Sequence, residues 1–181
     1  MKLNGLFVLI LLLNIIINGC KNPCENVNCN NGDCVEGECV CNDGWMGGDC
    51  NTMRSSLFKG YWEGVMNCTI VTDTAGLIIK SGDNPLNQIQ LQTHNLQYTL
   101  GGLLTIDFDN YIMTGNLDPT YKKFDIVPLP VSISLPNNTV LNVTISGNGL
   151  LNDRSEIELS LKIDPENPQL PDVLCNGTMK N

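Results

Sequence analysis

CKNPCENVNCNNGDCVEGECVCNDGWMGGDC, residues Cys20 to Cys50, holds seven of the nine cysteines of a 181-residue chain. Six of them, Cys24, Cys29, Cys34, Cys39, Cys41 and Cys50, are separated by four, four, four, one and eight residues. A segment this short cannot bury enough apolar surface to hold a single fold, and cysteines at this density are a disulfide framework. Six cysteines admit many pairings, and spacing alone does not choose among them.

The closing piece is the specific part: Cys39-x-Cys41, two residues, Gly44-Trp45, then Gly47 three positions before Cys50. This resembles the signature of an EGF-like module. EGF modules pair first with third, second with fourth and fifth with sixth cysteine, so the resemblance implies Cys24 with Cys34, Cys29 with Cys39 and Cys41 with Cys50. Gly32, Gly44, Gly47 and Gly48 would then supply positive-φ turns between short strands, and Trp45 would cover the last bridge. Calcium-binding EGF modules carry acidic ligands just before the first cysteine. Here Lys21-Asn22-Pro23 stands there, and the Cys34–Cys39 loop lacks the usual Asn or Asp, so the module is expected to fold without calcium.

Upstream, Lys2 is the sole charge before an apolar run from Leu6 to Ile17 broken only by Asn14, the outline of a signal peptide over residues 1–19. A membrane-spanning helix needs about 20 apolar residues, more than this run offers, so a permanent transmembrane anchor is the weaker reading. Ile17-Asn18-Gly19-Cys20 resembles the lipobox of bacterial lipoproteins. The alternative is ordinary cleavage after Gly19, with Cys20 one more disulfide partner. Nine cysteines is an odd number. Lipid on Cys20 leaves eight, which divide into three EGF bridges plus Cys68 with Cys175, and no thiol is left over. Lys21 rather than Asp follows the cysteine, which in the familiar sorting rule favours the outer membrane. Acyl chains would hold the protein there, each buried methylene contributing about 0.8 kcal/mol.

The formal charge is −9, and removing residues 1–19 takes away Lys2 alone among charged residues, giving −10. Acidity of this size argues against nucleic acid or anionic lipid as a partner. Residues 20–50 and 51–181 share it evenly, so it is a property of the solvated surface with no acidic tail or basic patch.

Residues 51–57 read as a polar linker, and from Phe58 the pattern turns to period two. Phe58, Trp62, Met66, Cys68 and Ile70 fall on one face, Gln88, Gln90 and Gln92 alternate with apolar residues, and Glu156, Glu158 and Lys162 do the same. Further strands are expected over 96–100, 103–108, 127–135, 140–146 and 173–179. Gly101-Gly102 and Asn152-Asp153 are expected as hairpin turns, and Gly147-Asn148-Gly149 as a break. Pro128 and Pro130 place their run at a sheet edge or in a bulge. The expected fold is mainly β: a disulfide-rich EGF-like module over 20–50, then an antiparallel barrel or sandwich of about eight strands over 58–181.

Gly60-Tyr61-Trp62 resembles the G-x-W opening of lipocalins. With a cysteine in the first strand and another in the last, after an EGF-like module and a lipobox, the chain resembles the small EGF-bearing lipoproteins of Bacteroidota that carry a lipocalin-like (calycin-like) C-terminal domain.

Catalytic chemistry is sparse. His94 is the only histidine, no nucleophile motif accompanies it, and it reads as a turn residue. Asp107 and Asp109 share a strand phase and with Asn110 suggest a weak calcium site, against the plainer role of a solvent face. Cysteine metal ligation would break the disulfide count. No catalytic, cofactor or metal site is therefore expected. Phe58, Trp62, Met66, Phe108 and Phe124 are expected as packed core, with the lining of a ligand cavity as the alternative. The expected role is binding or adhesion at an outer membrane, through membrane contact by lipid on Cys20 and an extracellular or periplasmic protein, glycan or small apolar ligand. The alternatives are a ligand-free structural lipoprotein and a secreted eukaryotic EGF protein, for which Asn67, Asn137, Asn142 and Asn176 open glycosylation sequons.

Overall fold

The computed structural model describes residues 22–69, 72–100, 104–134, 139–153 and 155–181, so the expected signal peptide, Cys20, Ile70, Gly101-Gly102 and Asn137 lie outside the described residues. The chain divides into two compact units at Thr52/Met53.

In the first unit Gly32–Val35 (β1) and Glu38–Cys41 (β2) form an antiparallel hairpin with register Val35↔Glu38. Glu36 and Gly37 between them both have positive φ, 54° and 92°, which suits the right-handed twist of a two-residue hairpin. Bridges join Cys24 to Cys34, Cys29 to Cys39 and Cys41 to Cys50, the pairs that the EGF resemblance implies. Cys29 and Cys50 are the buried hydrophobic residues here, so sulfur takes the place of a core. Gly44 and Gly47 adopt positive φ before and after Trp45–Met46 (β3). Gly32 does not; a Cβ there would lie 2.4 Å from the Val40 carbonyl oxygen, so its role is close strand approach.

The second unit opens where a linker is expected, yet the segment is ordered. Thr52–Met53 (β4) leads into a 3-10 turn, Arg54–Leu57. Ser55 is fully buried and its hydroxyl donates to the Pro85 carbonyl, while the Arg54 guanidinium sits 5.1 Å from the Tyr121 ring centroid. These polar residues satisfy loop groups rather than solvent.

Eight strands then close an antiparallel barrel: Gly60–Cys68 (β5), Thr72–Ser81 (β6), Gln88–His94 (β7), Ile112–Leu117 (β10), Lys123–Ser134 (β11), Val140–Asp153 (β12), Glu156–Pro165 (β13) and Val173–Lys180 (β14). Sequence neighbours pair throughout, and β14 returns to β5 with Cys175 opposite Cys68. Between β7 and β10, Gln97–Leu100 (β8) and Leu104–Asp107 (β9) form a separate two-stranded ribbon. Residues at alternate positions point inward and make one core, running from Phe58 and Trp62 through Leu77, Leu91, Phe124 and Ile145 to Met179.

Strand membership differs from expectation in two places. The strands expected at 96–100 and 103–108 correspond to β8 and β9, which lie outside the barrel, and β6 and β10 take their places. In β6 the inward Ala75, Leu77 and Ile79 are masked by the outward Ile78. In β10 the inward positions are Met113 and Gly115 while Ile112 is exposed, which inverts the usual contrast.

The Gly147-Asn148-Gly149 segment does not break a strand; β12 runs through it for 14 residues. A Cβ on Gly149 would lie 2.1 Å from Phe124 Cζ, and one on Gly147 2.1 Å from the Ser160 carbonyl oxygen. Glycine is needed there for packing, and Gly147 also has φ 158°. The following hairpin closes between Asp153 and Glu156, just beyond the expected Asn152-Asp153 turn. In β11 the register with β12 shifts between Ile126 and Leu129, so Val127 and Pro128 form a bulge and the inward phase changes from even to odd residues. The ladder to β10 covers Phe124 to Ile126, so Pro128 and Pro130 fall where no N–H is asked for on that side.

Candidate functional site

Antiparallel alternation sends the β6–β7, β10–β11 and β12–β13 connections to the end where β5 begins. The 3-10 turn closes that end through Pro85 and Tyr121. The opposite end carries the β8–β9 ribbon and the β13–β14 connection. Thr93, the last inward residue of β7, is 1% exposed and ties the ribbon's ends to the barrel. Its hydroxyl donates to the Phe108 carbonyl and accepts from the Tyr111 N–H, and its backbone bonds both Tyr111 and Asn110. Leu96 and Phe108 are drawn into the core as a result.

The five large residues read as core or cavity lining are all essentially inaccessible. Phe58 and Phe124 meet edge to face at 5.6 Å, and Trp62 Nε1 donates to the Phe58 carbonyl at 2.7 Å, so the one polar atom of the indole is satisfied inside the barrel. Two clefts lie away from these residues. One, of about 400 Å³, sits at the rim opposite the start of β5, between Thr139–Asn142 and the β13–β14 connection at Glu166, Asn167 and Leu170. Leu141 and Leu170 are half-buried beside exposed amides, and Asn142 accepts from Ser132 while its carbonyl receives the Glu166 N–H. The other, of about 350 Å³, lies on the barrel's outer wall among Asn67, Glu158, Ser160 and Asn176. Ser160 donates to Asn176 there at 2.7 Å. Amides, hydroxyls and one carboxylate line each cleft, so both offer hydrogen-bond donors and acceptors at the surface.

His94 is a strand residue, correcting its assignment to a turn. It ends β7 opposite Gly76, and its ring meets Tyr61 at 6.2 Å. The Tyr61 hydroxyl donates to Glu63 at 3.2 Å; local burial, then the Glu63 carboxylate, hold that hydroxyl above the usual phenol range. Asp109 does not share a strand face with Asp107: β9 ends at Asp107, and Asp109 lies in the turn that follows, accepting from the Leu96 N–H. Asn110 accepts from Gln92, so two of the three residues suggested for calcium each use a side-chain oxygen to hold the turn. The fourth bridge joins Cys68 to Cys175 across β5 and β14. Four disulfides among the described residues mark an exported chain folded in an oxidising compartment. No helix among the described residues is long and apolar enough to cross a membrane.

No family model matches the sequence, and a comparison with curated proteins finds no match. Solved structures similar to it include EF1p2_mFAP2b bound to DFHBI, at 14% identity and TM-score 0.46 over 71% of this chain and 96% of that one. A redesigned beta barrel, b11L5F_LGL, is similar at 14% identity and TM-score 0.43 over 71% and 94%.

Proposed function

We propose that this chain is an outer-membrane lipoprotein, anchored through Cys20, that binds a partner with the rim and outer wall of its barrel and catalyses nothing. The EGF-like module serves as a disulfide-stapled spacer or contact surface. One observation supports the choice of surface over interior: the largest fully buried side chains among the described residues, Trp62, Phe58, Phe108, Phe124 and Met66, fill the core. The lipobox-like tetrapeptide and the odd cysteine count support the anchor.

Fractionation of the producing cells tests this, with the intact mass of the purified protein. A mature species starting at Cys20 with added acyl mass, found in outer-membrane fractions, is expected, and Cys20→Ala should release the protein into the soluble fraction. Unacylated mass, or unchanged partition of Cys20→Ala, would contradict it.

A further inference from the structure

Polar residues cover much of the outer wall, neutral ones such as Gln88, Gln90 and Gln92 on β7, Thr114 and Asn116 on β10 and Asn176 and Thr178 on β14, with charged ones such as Lys80, Glu158 and Lys180 among them. Exposed apolar residues interrupt it at Val127, Val140 and Leu174, and in a further area on β5 to β10. Register places Tyr61, Ile78, Gln92 and Ile112 in a single row across β5, β6, β7 and β10. At about 4.8 Å per strand the row spans roughly 14 Å. Tyr61 is 43% exposed and Ile112 56%, with Ile78 half-buried and Gln92 between them, so folding leaves apolar surface in water at both ends of the row.

The ring of Tyr61 lies over Gly76, where a Cβ would meet it at 2.9 to 3.2 Å. Glycine on β6 thus lets the ring lie down against the wall, with its other face outward. Covering a strand glycine is a structural use for an aromatic residue. It does not account for the carboxylate held beside the ring, nor for the exposed Ile112 at the end of the row.

Glu63 lies directly opposite Lys180 on β14, the obvious partner for an ion pair. Lys180 instead bonds Glu156 on its other side, at 3.0 Å. Glu63 is left with the Tyr61 hydroxyl, a neutral donor, on a chain of net charge −9. The elements are an exposed aromatic face, an adjacent carboxylate whose charge is not matched by its cross-strand lysine, and an apolar flank. A planar cation stacks on such a face and pairs with such a carboxylate, and the chain's acidity draws cations toward it.

We infer that the outer wall around Tyr61, Glu63, Ile78 and Ile112 docks an arginine-bearing, otherwise apolar segment of a partner protein. The guanidinium lies on Tyr61 and pairs with Glu63, and aliphatic neighbours cover Ile78 and Ile112. This rests on the proposal that binding is external and names the partner's chemistry.

The mature full-length chain, labelled for amide NMR, is titrated with a capped valine–arginine–valine peptide and with the same peptide carrying citrulline, a neutral isostere of arginine. Shifts confined to Tyr61, Glu63, Gly76, Ile78, His94 and Ile112 are expected for arginine, with at least about tenfold weaker binding for citrulline. Tyr61→Ala and Glu63→Gln should each weaken the arginine peptide about five- to tenfold without shifting the core resonances of Trp62 and Phe124. Equal binding of citrulline, indifference to Glu63→Gln, or shifts spread over every acidic surface would overturn the inference. Capture of chitooligosaccharide in place of the peptide would overturn it too, while leaving external binding intact. An apolar ligand entering the barrel would instead strike at the external-binding proposal.

Discussion

Cys68 on the first barrel strand is bridged to Cys175 on the last, directly across the line where β14 meets β5 and the barrel closes. The bridge spans a sequence separation of 107 residues, almost the whole domain. Replacing both cysteines by alanine should lower stability by about 2 to 5 kcal/mol, through a freer unfolded chain. Urea unfolding of the double variant measures this, and a change under about 0.5 kcal/mol would show that the strand ladder alone secures the closure.

Gly149 presses against the Phe124 ring so closely that no side chain fits. Gly149→Ala should destabilise by about 1 to 3 kcal/mol as an overpacked core, and Phe124→Leu in the same chain should recover part of that loss. Thermal unfolding of the single and double variants gives the coupling directly. Strict additivity would deny that the two residues share one space.

Thr93 ties the β8–β9 ribbon to the barrel through its backbone and, twice over, through its hydroxyl. Thr93→Val keeps the shape and leaves the Phe108 carbonyl and Tyr111 N–H short of a partner, a loss of about 1 to 3 kcal/mol. Hydrogen exchange should speed up at Phe108 and Tyr111, which bond Leu96 and Thr93, before it does in β12 or β13. Uniform acceleration would mean that the ribbon is no separate unit.

Asp118 accepts from the Thr120 hydroxyl and from the N–H groups of Lys122 and Lys123. Local burial acts to raise its pKa, and these bonds outweigh it, holding the carboxyl below the ordinary aspartate range. A depressed acid stabilises the fold above its unfolded pKa, and that contribution is lost as pH falls through the folded value. Asp118→Ala should therefore be less stable than the parent near neutral pH, by about 1 kcal/mol at this solvent-screened site. The gap should narrow below about pH 4. A gap that stays constant down to acid pH would remove the charged bonds from the explanation.

Fold class was legible because period two survives wherever inward residues are large and outward ones polar, as in β7 and β13. It failed in β6 and β10, where Ile78 and Ile112 face outward and Ala75 and Gly115 face inward. Gly147 and Gly149 looked like a break because a sequence shows glycine's freedom but not the Phe124 ring that requires its absence of side chain. The ordered Arg54–Leu57 turn was hidden for a related reason: its partners Pro85 and Tyr121 are far away in sequence. The Tyr61–Glu63–His94 grouping depends on cross-strand register through Gly76, and only the alternation of Tyr61 and Glu63 was visible beforehand.

External binding by a filled barrel is tested most directly at Trp62, whose indole is buried against Phe58. In a Trp45→Phe protein it is the sole fluorescent tryptophan, since the chain has two. Titration of that protein with fatty acids and retinoid-like apolar probes should leave Trp62 emission unchanged and show no saturable uptake. Stoichiometric one-to-one binding that quenches or shifts Trp62 would place the ligand inside the barrel and contradict binding by its surface.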